Sequence, residues 1–150
     1  MSRKTVIFLA VLIISPIIIY LLWPSDESRI KKLFREGVKA VEQENIEEVL
    51  AKVSFAYKDE YGMTYLSLKE GMKRFFKQAE KLQVEYEITD IRITENTAKA
   101  ELDIRVIATS GSDTGYILGD AAKPVHMIFS LEKERTTWLV TQTEGIRLLY

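Results

Sequence analysis

The feature that most constrains this chain is an uncharged apolar run, Thr5 to Trp23, interrupted only by Thr5, Ser15 and Tyr20 as polar-tipped residues. As a helix, a run of that length rises about 28 Å at ~1.5 Å per residue, close to a hydrocarbon core of ~30 Å. Burying such a helix inside a soluble core would take a much larger protein than 150 residues. Pro16, in mid-run, is tolerated in membrane helices, and Tyr20 and Trp23 stand where an interfacial aromatic belt would place them. A cleaved signal peptide would have a shorter apolar region, roughly 7–15 residues, followed by a small-x-small site. Here the run leads into Leu21-Leu22-Trp23-Pro24 with no such pair well placed. Residues 1–24 are therefore expected to be a signal anchor, with the membrane as partner through Thr5 to Trp23. Arg3 and Lys4 precede the run and no acid precedes Asp26. Positive residues stay inside, so the N-terminus is expected in the cytoplasm and residues 25–150 outside it. A bacterial inner membrane facing the periplasm suits that arrangement.

The remainder has room for one domain. Removing Arg3 and Lys4 from 21 basic residues leaves 19 against 22 acidic ones, a charge near −3. A slightly acidic domain without a basic stripe is a poor nucleic-acid binder, and no nucleic-acid partner is expected. The absence of cysteine removes disulfides, thiolate metal sites and thiol catalysis. With His126 the single histidine, a multi-histidine metal site is excluded too; neither metal nor cofactor is expected.

Two periodicities divide the domain. Ser25 reads as an N-cap, with acids following, for a helix whose apolar face is Ile30, Leu33, Phe34, Val38 and Val41. Asn45 with Glu48 reads as a capping box opening a short helix through Val53, and Ser67 with Glu70 as another, ahead of Leu68, Met72, Phe75, Phe76 and Ala79. After Leu82 the period falls to two. Val84, Tyr86 and Ile88 alternate with charged residues, and Ile91 and Ile93 resume in the opposite phase, so a bulge is expected at Thr89-Asp90. Ala98, Ala100, Leu102, Ile104 and Val106 mark the clearest half-buried strand. Ser110 to Pro124 reads as a glycine-containing loop, followed by a hairpin around Lys133-Glu134-Arg135. Helices first and antiparallel strands after predict an α+β fold, three helices packed on one face of a bent antiparallel sheet.

This order resembles the nuclear-transport-factor-2-like superfamily, the cone-shaped cystatin-like fold shared with ketosteroid isomerases and polyketide cyclases. The resemblance is carried by Gln43 to Leu50, by Phe55-Ala56-Tyr57-Lys58-Asp59 read as a strand end, by the helix through Phe75-Phe76, and by Trp138 to Gly145. It spans Ile30 to Ile146. It implies a base position at Asp59, with the family's oxyanion donors falling near Gly37 and Val125, neither of which supplies an acidic proton. A base without an oxyanion site lacks the largest catalytic contribution. A solvated turn acid is the plainer account of Asp59.

Other candidates follow from pattern. Tyr57, Tyr61, Tyr65 and Tyr86 are expected to line or fill the cone. Tyr116, Ile117 and Leu118 form an apolar tripeptide on the expected loop, a candidate contact for a partner. His126 is expected on the opposite strand face from Val125, Met127 and Phe129. Ile107, Ile128 and Leu139 share the outward phase, which suggests a homodimer through the outer sheet face. These features favour a membrane-tethered, extracytoplasmic binding or assembly module without enzymatic activity, presenting a surface to an envelope protein or a small apolar ligand. The alternative is an enzyme of the ketosteroid isomerase or polyketide cyclase type using Asp59.

Overall fold

The computed structural model describes residues 3–145 of the 150; Ile146, the last residue of the resemblance, lies outside them. Helix α1, Arg3–Leu22, has a mean hydropathy of 2.8 over its most apolar window and buries nothing against the domain. It is long and apolar enough to cross a membrane.

Ser25 stops that helix and starts the next, its hydroxyl accepting the Ser28 N–H at 3.2 Å. Helix α2, Asp26–Glu42, buries Ile30, Leu33, Phe34 and Ala40. It ends in a Schellman arrangement: Asn45 N–H donates to the Ala40 carbonyl at 2.9 Å, and Glu44 N–H to the Val41 carbonyl at 3.0 Å. Glu44 occupies the left-handed position that glycine usually fills, with φ 54°. Helix α3, Ile46–Leu50, is capped by Asn45 as expected but stops before Val53, giving way to a turn that lies beside the sheet. Helix α4 is Tyr65–Gln78, and its cap is Thr64 rather than Ser67. The Thr64 hydroxyl accepts the Ser67 N–H, so Ser67 sits within the first turn. The expected face of α4 (Leu68, Met72, Phe75, Phe76, Ala79) is half-buried throughout, and no residue of this helix is fully buried.

Strands β1 (Lys81–Thr94), β2 (Thr97–Ser110), β4 (Val125–Glu134) and β5 (Thr137–Glu144) lie side by side in that order, all antiparallel. Strand β3, Asp113–Leu118, pairs with the far end of β2. This strand corrects the expectation of a loop over Ser110 to Pro124. A turn at Gly111, φ 61°, folds the glycine-containing segment back into a hairpin, and the ladder supplies its backbone partners. The chain leaves β3 at Gly119, φ 72°, where a Cβ would press on the Lys123 and Ile104 carbonyls at 3.2 and 3.3 Å.

The β1 bulge falls where the phase slip put it. Ile88 pairs with Leu102 and Asp90 with Glu101, leaving Thr89 over. On the inner face Ala98, Ala100, Leu102 and Ile104 are buried, and they pair with Leu131, Phe129, Met127 and Val125 of β4. The two alanines leave room for α2, whose Phe34 ring meets Phe129 edge-on at 5.0 Å. Leu131, Trp138 and Val140 complete this core. The core sits under α2, and Tyr65 and Leu68 of α4 pack half-buried against it.

Candidate functional site

Residues 52 to 64 carry the region to which the sequence pointed. Their backbone lies along β5: Val140 N–H donates to the Lys52 carbonyl and Ser54 N–H to the Val140 carbonyl, each at 2.9 Å, while Lys58 N–H reaches the Thr141 carbonyl at 3.0 Å. No strand forms over Phe55 to Asp59. The segment makes single bridges, Val53 to Val140 and Lys58 to Thr64, between turns. The residues alone allow a short strand or a turn over Phe55 to Gly62 and the resemblance implies a strand end at Asp59; the structure has turns there.

This path drives Tyr57 into the core, 5% exposed, where its hydroxyl and that of Thr143 share a 2.6 Å hydrogen bond. Burial pushes the Tyr57 hydroxyl above its ordinary acidity range, with the Asp59 charge acting the same way and the Thr143 bond opposing both. Asp59 is buried as well, and its Oδ1 accepts the Tyr61 N–H at 2.9 Å and the Met63 N–H at 2.6 Å. The Asp59 N–H in turn donates to the Met63 carbonyl at 3.0 Å. One carboxylate oxygen thus closes the turn that launches α4. At the positions where the resemblance places oxyanion donors, Gly37 lies within α2 and Val125 opens β4 with an apolar side chain.

The four tyrosines do not converge. Tyr57 closes the core, Tyr61 is exposed on the Asp59 turn, and Tyr86 is half-buried on β1 opposite Ile104. Tyr65 packs on Phe55 with the rings tilted by 51° and their centroids 4.8 Å apart, and both line a groove of about 550 Å³ with Ile46, Leu50, Val53 and Leu139. Lys69, Lys73, Glu47 and Glu134 also border it. Phe55 is 86% exposed, an unusual position for a large aromatic. Sequence reasoning missed this groove because its walls come from α3, α4 and β5, which meet only after the turn at Asp59 folds back. The one local signal was an aromatic at Phe55 beside a polar turn.

On the remaining candidates the structure is specific. Tyr116 and Ile117 are exposed on β3, whereas Leu118 packs against the core from the end of that strand. His126 is exposed on the outer sheet face, its Nδ1 2.8 Å from Asp103 Oδ1 and its Nε2 3.4 Å from Glu101. The hydrogen bond to Asp103 holds the imidazole pKa above its ordinary value; the neighbouring carboxylates add to that and desolvation opposes it. Ile107, Ile128 and Leu139 are half-buried, and the same face carries the Arg92–Glu101 and Arg105–Glu85 ion pairs. Among the described residues no group of three or more carboxylate or imidazole side chains is placed to hold a metal ion.

No family model and no curated protein sequence matches this chain. Solved structures do. A domain of unknown function with a cystatin-like fold from Nostoc punctiforme aligns with a TM-score of 0.64 at 19% identity, over 83% of this chain and 78% of that one. A candidate scytalone dehydratase from Novosphingobium aromaticivorans gives 0.66 at 11% identity, over 82% and 89%. Bd1075 of Bdellovibrio bacteriovorus gives 0.61 at 14% identity over 77% of this chain, which spans only 38% of that protein. At such identities the likeness speaks to fold alone. The described chain is an apolar N-terminal helix joined to an α+β domain with the nuclear-transport-factor-2-like, cystatin-like fold.

Proposed function

We propose that this chain is a membrane-tethered, extracytoplasmic binding module that takes a peptide segment of another envelope protein into the Phe55–Tyr65 groove. The observation that carries the reading is the groove itself. It is apolar along Ile46, Leu50, Val53 and Leu139, is bordered by side chains of both charges, and opens beside Phe55, which touches Tyr65 and is otherwise largely exposed among the described residues. Exposed aromatics of this kind are typical anchors in protein interfaces. The tether keeps the domain at the membrane surface, and Arg3 and Lys4 favour the exported orientation.

A photo-reactive amino acid at Phe55, cross-linked in native membranes, is expected to capture one protein in preference to many. The same probe at Lys99, on the outer sheet face, is expected to capture none of it. Equal capture at both positions would remove the groove from the account.

A second reading keeps an enzyme of the ketosteroid isomerase or polyketide cyclase type. It is favoured by the neighbouring buried Asp59 and Tyr57, a carboxylate beside a phenol. Against it stands the use of the Asp59 Oδ1 lone pairs by two backbone donors. Turnover of a carbonyl substrate that disappears in Asp59→Asn would establish this reading in place of the first.

A further inference from the structure

Only Trp23, Pro24 and Ser25 stand between α1 and α2. From Leu22 to Asp26 a fully extended chain covers at most about 14 Å. The headgroup layer on each side of a bilayer is about 5–8 Å thick. If α1 spans the membrane, as the proposed function holds, the first turns of α2 are kept within or against that layer. So is the turn between β4 and β5, because Arg29 of α2 donates to the Thr136 carbonyl at 2.9 Å.

At this junction lies a second cleft, of about 520 Å³. Its floor and walls include Trp23, Leu33 and Trp138, and its cations are Arg29, Lys32 and Lys52 against one carboxylate, Glu36. Arg29 lies over the Trp23 ring at 5.6 Å. Of its five N–H donors, the bond to Thr136 uses one. Lys52 is held at 2.5 Å by Glu36, whereas Lys32 is 3.6 Å from the same carboxylate with its side chain 63% exposed. A guanidinium over an interfacial tryptophan, with a largely exposed ammonium, only loosely paired with Glu36, one helical turn further along, suits a phosphodiester.

From this geometry we infer that the cleft formed by Trp23, Arg29 and Lys32 binds the phosphate of an anionic phospholipid in the leaflet beside the domain. The lipid orients the domain on the membrane and sets the groove of the proposed function at a fixed tilt. The inference rests on the tether reading, but it can fail while that reading stands.

The test uses the full chain in detergent micelles, with phosphatidylglycerol or phosphatidylcholine of matched acyl chains added and bound lipid counted by native mass spectrometry. Phosphatidylglycerol occupancy is expected to exceed that of phosphatidylcholine. Each removed cation is expected to weaken phosphatidylglycerol binding about fivefold, from the usual contribution of a basic residue near an anionic surface. Lys32→Gln tests this without touching a packed side chain, and Arg29→Gln/Lys32→Gln extends it. Lys77→Gln/Lys99→Gln makes the same charge change away from the cleft and should leave occupancy unchanged. Equal occupancy by the two lipids, or equal loss in the cleft and control variants, would overturn the inference. Displacement of the lipid by inorganic phosphate at tenfold excess would overturn it too, by making this a site for a free anion. An alkaline wash that releases the chain from membranes would overturn both the tether and the lipid site; retention with equal lipid occupancies would overturn the lipid site alone.

Discussion

Asp26, the first residue of α2, accepts the indole N–H of Trp138 at 3.1 Å, a bond between the start of the domain and its last strand. The other carboxylate contact is to Lys133, at 2.8 Å. Trp138 is 3% exposed, so its N–H has no recourse to bulk water. Asp26→Ala is expected to destabilise the full chain in micelles by about 1–3 kcal/mol, the usual consequence of orphaning a buried donor. Chemical denaturation followed by Trp fluorescence checks this.

The same carboxylate gives the domain an acid limb. The Lys133 hydrogen bond, reinforced by Trp138 and by nearby positive charge and opposed by desolvation, holds Asp26 below its ordinary value. A group whose folded pKa is depressed contributes stability above the unfolded value and loses it as pH falls through the folded one. The wild-type chain is therefore expected to lose stability below about pH 4, the ordinary carboxylate range. Asp26→Asn, which keeps an acceptor without the charge, is expected to show less of this acid loss. Parallel denaturation curves for the two proteins from pH 7 downward would contradict the assignment.

The sheet register makes a sharp contrast between neighbours. Leu102 is 1% exposed between Ile88 and Met127, and truncating it to alanine is expected to destabilise by about 2–5 kcal/mol. Glu101 points the other way, toward Arg92 and His126. Glu101→Gln should stay within about 1 kcal/mol, as expected for a half-exposed ion pair. Equal losses at the two positions would mean that the faces are exchanged.

Glu44 offers a gain. A left-handed conformation costs a non-glycine residue roughly 1–2 kcal/mol, and glycine avoids most of it. Glu44→Gly is expected to raise stability by about 0.5–1 kcal/mol while leaving the Asn45 cap intact, as read by the denaturation midpoint.

His126 is expected to titrate above its ordinary value, and Asp103→Asn to bring the midpoint down toward it. Because the folded pKa is raised, the imidazolium stabilises the fold below the ordinary histidine value and ceases to do so as pH rises through the folded one. NMR titration of the single imidazole reads this directly.

Much of the fold was legible because periodicity reports on burial. Leu102 and its even-numbered neighbours had to face a core, and the phase slip after Ile88 had to be absorbed by a bulge at Thr89. Caps at Ser25 and Asn45 were readable because a side-chain oxygen must meet the first free N–H groups. Thr64 was missed in favour of Ser67 because only Ser67 has a glutamate three residues on; the turn closed by Asp59 starts the helix one turn earlier. Strand β3 was hidden because glycines suggest a loop until β2 supplies a ladder for them. The groove, beyond the single aromatic at Phe55, and the cleft at Arg29 were not readable. Each depends on residues far apart in the chain, and local spacing says nothing of which surfaces meet.

Intact-mass measurement of the chain recovered from alkaline-washed membranes decides whether an uncleaved helix tethers this domain. The expected result is a membrane-bound species whose mass retains residues 1–24. A species beginning near Ser25, found in the wash, would contradict it.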